Sequence, residues 1–253
     1  MTTFEPGTFA PAPRRASIPA MLKAQGAIES KLMLRHGEQQ LLSIIIPLAI
    51  LVGAAKLEHV TGHGLHEIFP MVLAVAATSA GFTGQAISVA FDRRYGALKR
   101  TGASGVPAWA IVMGKIIAVF SMVILQVIVL GGVAALMGLR IGALGIAVTA
   151  LTLLLGVTTF TALGLLLGGT LSPEIVLALA NLLWFLLLGA VGWAMFAQGL
   201  GDNGLVSLIP SVALAAGLDS ALDGSMPWTE ILILIAWAVV ASAAAVRWFR
   251  FDA

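Results

Sequence analysis

The hydrophobic residues of this chain fall in long unbroken runs, not in the alternation of a half-buried strand. A helix needs about twenty apolar residues to cross roughly 30 Å of hydrocarbon. Stretches near or above that length run over 41–57, 68–91, 108–138, 141–171, 174–197 and 228–248. The first is slightly short, and Lys56 at its end can reach the interface along its aliphatic stem. Arg140 separates the third from the fourth, so these two are expected to form a tight hairpin. Ser172-Pro173-Glu174 is a start signal for the fifth, with Pro suited to the first turn and Glu facing the positive end of the helix dipole. A barrel would need short alternating segments. The expected fold class is an all-α integral membrane protein with six transmembrane helices.

Two further segments do not fit simple loops. Over 18–36, Ile18, Met21, Leu22, Ile28 and Leu32 recur at helical spacing opposite Lys23 and Lys31, with Gln25 and Glu29 interrupting the apolar face. This pattern predicts an N-terminal interfacial helix lying on the inner membrane surface, or else an ordinary cytoplasmic lead-in helix. Over 203–226 an apolar run contains Pro210 and ends at Asp219 and Asp223. It is too short and too interrupted to cross, and an apolar run in water is costly, so an outer re-entrant segment between spans five and six is expected.

Composition strengthens the membrane reading. Hydrophobic residues are 59% and charged residues 10% of the 253, and mean hydropathy is +1.02. A soluble domain carries about a quarter charged residues. A net charge of +2 without a groove-sized basic cluster argues against nucleic acid as a partner. Cysteine is absent, which excludes disulfides and thiolate metal sites. Residues 1–17, with Pro6, Pro11, Pro13, Arg14 and Arg15 and no apolar core, read as a disordered tail and not as a signal peptide. Arg14, Arg15, Lys23, Lys31 and Arg35, then Arg93, Arg94, Lys99, Arg100 and Lys115, then Arg247 and Arg250, fall on one side of six crossings; only Lys56 and Arg140 fall on the other. The positive-inside rule makes the first side cytoplasmic, with both termini there.

Candidate chemistry is sparse. Gly199-Leu200-Gly201-Asp202 matches the GxGD pattern of intramembrane aspartyl proteases, but no second Asp lies within a span to share a proton with Asp202. His59, His63 and His66, flanked by Glu58 and Glu67, are proper zinc ligand types; Gly62 and Gly64 favour an exposed polar loop there, and no metal is assigned. No GxxxxGK[ST] loop is present, so no P-loop ATPase site is expected in this chain. No catalytic residue is assigned. No Asp, Glu, His or Arg sits at the centre of a predicted span, where ion-coupled transporters place their coupling charges. Mid-span polarity is uncharged: Gln85, Gln126, Thr158 and Asn181 lead it, as helix contacts or as lining for an amphipathic substrate. Gly164-xxx-Gly168 marks a close helix contact, within or between subunits.

The most specific signal lies over 92–107. Phe91-Asp92-Arg93-Arg94-Tyr95-Gly96-Ala97-Leu98-Lys99-Arg100, then Gly105-Val106-Pro107 and Gly114-Lys115, resembles the permeases of type-2 ABC exporters, nearest to the drug-resistance and daunorubicin-type subgroup. Arg94 stands where that family has a second carboxylate, and Ala97 where it has Thr. Pro47 and Asn181 match family positions in spans one and five, and Ile209-Pro210-Ser211 with Leu214 and Leu218 resembles the family's outer re-entrant segment. The resemblance implies a subunit of the bacterial plasma membrane, paired with a second copy or a related permease and with a separate ATPase dimer. ATP would be used by that partner, with no cofactor bound directly. It also implies an ATPase-coupling role for Asp92, Arg93, Arg94, Gly96, Leu98, Lys99 and Arg100, and a re-entrant role for Pro210 and Ser211. On the residues alone, a secondary transporter or channel, a membrane scaffold and an intramembrane enzyme stay open.

Overall fold

The computed structural model describes residues 16–35, 37, 41–56, 62–201 and 204–250, and among these it contains helices, turns and short connections but no strand. The expected tail over 1–17, save its last two residues, lies outside the described residues, as do Glu58, His59 and Asp202. The helices are α1 (Ile18–Arg35), α2 (Ile46–Lys56) after a π turn (Leu41–Ile45), α3 (Leu65–Arg94) with a π segment (Ser79–Gly84), α4 (Ala97–Ala103), α5 (Ala108–Leu136), α6 (Ala143–Thr170), α7 (Pro173–Gln198), α8 (Pro210–Leu222) and α9 (Trp228–Trp248). By length and composition α3, α5, α6, α7 and α9 can each cross a membrane. The expected first span and the 203–226 segment contain shorter apolar helices, Ser43–Lys56 and Pro210–Leu222.

Close contacts fix the directions of the long helices. Gly81 lies on Phe160 and Gly168 on Ala86. The Thr159 hydroxyl donates to the Leu234 carbonyl, and Gly169 meets the Phe249 ring. So α3, α6 and α9 run in one sense, and α5 and α7 return between them. α3 and α6 finish beside α4 at an end carrying Arg93, Arg94, Lys99, Arg100, Arg247 and Arg250, termed here the basic end.

The core forms around α3, whose central window is 83% buried against 22% for α7 and for α9. α3 also carries Thr78, Ser79, Thr83 and Gln85, all buried. Lipid tails are as apolar as leucine, so spans associate through close backbone approach and hydrogen bonds, and small or polar residues turn inward. Gly164 and Gly168 of α6 show this: a Cβ there would stand 2.6 Å from the Gly81 carbonyl oxygen and 2.4 Å from that of Ala86. The Gly164-xxx-Gly168 contact is therefore made within the chain.

Two features go beyond these expectations. α1 packs lengthwise against α5. Gly114 of α5 backs onto Gln25, Gly26 onto Ile117, and Ser30 donates to Ser121 at 3.1 Å. The contacts advance together along both helices, so α1 runs beside α5 in the same sense. Ile28 and Leu32 stay exposed on its outer flank. The second concerns α5 and α6, which join through a short turn yet part from each other beyond it. An apolar groove of about 420 Å³, bounded by Phe69, Phe120, Val127 and Leu153, separates them.

α8 is buried among α3, α6, α7 and α9. Leu214 sits on Gly156, Gly217 on Thr152, and the Leu222 carbonyl on Gly145. Its start is therefore deep along α6, and its end reaches the level where α6 begins. At a rise of about 1.5 Å per residue, its 13 residues span roughly 20 Å.

Candidate functional site at the basic end

The connection from α3 to α5 carries most of the charge. α3 ends at Arg94, and Tyr95 stacks on Phe91 with ring centroids 6.0 Å apart. Gly96 then takes φ +66°, a left-handed conformation that side chains resist, and this turns the chain into α4. Leu98 is buried and anchors α4, while Lys99 and Arg100 are exposed on its outer face. Arg100 donates back to the Tyr95 carbonyl at 2.6 Å. α4 thus presents a basic surface on a short, pinned helix.

The residues just before it serve different purposes. Arg93 is buried, and its guanidinium donates to the carbonyls of Gly168 and Leu171, each at 2.9 Å. These groups lie at the C-terminal end of α6, where carbonyls lack helical partners and the dipole is negative. A cation there satisfies both, and it locks α3 to α6. Arg94 is exposed and pairs with Glu174 in the first turn of α7. Glu174 therefore does more than face its own helix dipole.

Asp92 points away from α4 into the protein. With Glu29 of α1 it holds Lys115 of α5: the ammonium lies 2.5 Å from Asp92 and 3.0 Å from Glu29, with the Ser88 hydroxyl at 3.4 Å. The Lys115 side chain is only 3% exposed. A buried cation of this kind is tolerated when carboxylates and hydrogen bonds surround it. Three helices meet on one charge. Sequence reading missed this triad, because Glu29 looked like a flaw in an amphipathic face; the signal available was a Lys behind a Gly, with an unmatched carboxylate in α1.

The uncharged mid-span residues divide. Gln126 is buried and donates to the carbonyls of Ser43 and Ala76, tying α5 to the π turn before α2 and to α3. Gln85 is buried in the α3–α6 contact, against Gly164. Asn181 bonds only within its own helix, to Leu177, on the partly exposed side of α7. Thr158 is exposed and lines a groove between α5, α6 and α9. Pro210 opens α8, and Ser211 donates to the Leu187 carbonyl of α7 at 3.0 Å.

At the opposite end His63 pairs with Glu67 at 2.6 Å, and His66 lies 3.4 Å from Asp223. Among the described residues no three His, Asp or Glu side chains gather as a metal ion would require. Burial pushes the Asp219 carboxyl above its usual range; His66 pulls it back, and Asp223 and Glu67 add to the rise.

The family model described as ABC-2 type transporter matches residues 22–199. That stretch runs from the first turns of α1 to the end of α7 and contains the Lys115 triad, the Arg93 clamp and α4. No curated protein matches the chain. Covering well over half of the sequence, the match agrees with a multi-pass helical bundle whose charge is gathered at one end, and the chain belongs to the ABC-2 type transporter family as a membrane component of a transporter.

Proposed function

We propose that this chain is the permease subunit of an ATP-driven exporter of the bacterial plasma membrane, with the basic end and both termini cytoplasmic. A separate ATPase dimer docks on α4, and the pathway for a hydrophobic or amphipathic substrate is completed by a second copy or a related permease, as in the drug-resistance and daunorubicin-type subgroup. In this reading 41–57 makes a sixth crossing, and 203–226 is a re-entrant segment entering and leaving on the outer side. The observation that carries the proposal is α4: its Lys99 and Arg100 are exposed, while the residues on either side of it are tied into the bundle through Arg93, Arg94 and Lys115. A push on such a helix moves packed spans, not a loose loop. Of the mid-span polar residues, Asn181 and Thr158 are not buried, while Gln85 and Gln126 are occupied in helix contacts. Substitutions at Arg93 are poor tests of docking, since they unclamp α6.

The test uses Lys99→Glu/Arg100→Glu. Tagged full-length chain is purified in mild detergent from the membranes of its own host, and co-purifying P-loop ATPase is quantified by mass spectrometry. The wild type is expected to retain the ATPase, and the charge-reversed chain to lose it while eluting as a monodisperse peak. Equal ATPase recovery from both would refute the docking role of α4.

A further inference from the structure

Toward the basic end, α5, α6 and α9 enclose a groove of about 470 Å³ walled by Trp109, Val112, Ile116, Leu165, Val246 and Phe249. Trp109 and Val246 are exposed at its rim, so it opens on the flank of the molecule. Phe249 is also a wall of a second recess, about 540 Å³, which contains Arg247 and Arg250 and, among the described residues, no carboxylate. The apolar slot and the cationic recess meet at this one ring. Gly169 sets the ring in place, because a Cβ there would stand 2.3 Å from it. The Arg250 amide donates to the Gly169 carbonyl at 2.9 Å, which fixes the turn bearing both arginines.

From Thr170 in the recess up to Thr158 in the slot, α6 rises about 18 Å, against roughly 15 Å for the hydrocarbon of one leaflet. An apolar slot one leaflet deep with cations at its mouth matches a lipid in both length and charge. We infer that it holds a phospholipid with an anionic headgroup, taken from the surrounding leaflet at the basic end and retained as a bound component of the protein. The anionic phosphate, with no cationic amine attached to it, sits at Arg247 and Arg250, and an acyl chain runs along Phe249 into the slot. Basic pockets between spans bind anionic headgroups for the same reason. The inference does not depend on what the transporter carries.

The test is native mass spectrometry of the full chain in nonionic detergent, offered phosphatidylglycerol or phosphatidylcholine with identical acyl chains. Two arginines at roughly a factor of five each set an expected preference for phosphatidylglycerol on the order of thirtyfold. Arg247→Gln/Arg250→Gln should bring the two lipids to near parity, and Arg247→Lys/Arg250→Lys should keep the preference. Thr158→Trp, which fills the slot and leaves the arginines alone, should remove retained lipid of both kinds. Equal retention of the two lipids by the wild type, an unchanged preference in the Gln variant, or lipid still held by Thr158→Trp would each overturn the inference. So would lipid-free dimers that dissociate in Thr158→Trp, because a second copy of the chain would then occupy the groove.

Discussion

Replacing Lys115 with Met removes the shared cation from between Glu29 and Asp92. Taking one partner from a buried ion pair costs about 3–5 kcal/mol, since the remaining charge is left unpaired. Here the carboxylates are not fully dry: side-chain exposure is 15% for Glu29 and 33% for Asp92. Water relieves part of their repulsion, and about 2–3 kcal/mol is the appropriate scale. For a chain of this size that lowers the unfolding midpoint by roughly 4–12 °C, read as loss of the monodisperse peak after heating in detergent. The decisive variant is Lys115→Met with Glu29→Gln and Asp92→Asn. With all three charges gone no unpaired ion remains, and most of the stability should return, because a buried network exchanged as a whole is nearly neutral. An unchanged midpoint in the single variant, or a triple variant no better than the single, would refute the claim that this network joins α1, α3 and α5.

Gly168→Ala should destabilise the bundle by about 1–3 kcal/mol, the usual cost of overpacking, because the new Cβ meets the Ala86 carbonyl at 2.4 Å. Gly189→Ala, with nothing within 4 Å, is the control, and equal midpoints for the two would sink the close α3–α6 contact. At the end opposite the basic one, Asp219→Asn should raise the unfolding midpoint at pH 7. Burial raises the Asp219 pKa in the folded protein, so the carboxylate opposes folding at neutral pH. That penalty fades as pH falls through the raised value and is gone below the unfolded value of about 3.9. The gain from Asn should shrink over the same range; a gain independent of pH would refute it.

Much of this was legible because the bilayer imposes one strong rule on composition and length. The runs that become α3, α5, α6, α7 and α9 are plain in the sequence, and Ser172-Pro173-Glu174 starts α7 with Ser172 in an extended cap conformation. The inner faces were harder to read. Amphipathic analysis assigns the apolar side of a helix to the protein, which suits water. In α1 the protein side is Met21, Gly26, Glu29 and Ser30, while Ile28 and Leu32 face outward. The same inversion buries Thr78, Ser79, Thr83 and Gln85 in α3. Nothing local in the sequence says that Arg93 and Arg94, neighbours in the chain, part company; helix geometry separates them, sending Arg93 to the end of α6 and Arg94 to the start of α7.

Under the proposed docking of an ATPase on α4, that separation would let a short surface helix act on the whole bundle. α4 follows α3 directly and leads into α5, and both spans are fastened near that end by buried charge. If α3 slid past α6, the Arg93 guanidinium would leave two carbonyls while still buried, and if α5 slid past α1 or α3, Lys115 would leave its carboxylates. Each loss costs several kcal/mol, far more than shifting apolar side chains over one another. The seam between α5 and α6 is different. Its two grooves share Phe120 and are lined almost wholly by apolar groups. Displacement entering at α4 is therefore resisted at the α3–α6 and α1–α5 contacts and least resisted across this seam. Because Arg93 also holds α3 to α6, the helices α1, α3, α5 and α6 are coupled near the basic end, and the room for relative motion lies along the apolar α5–α6 seam beyond it.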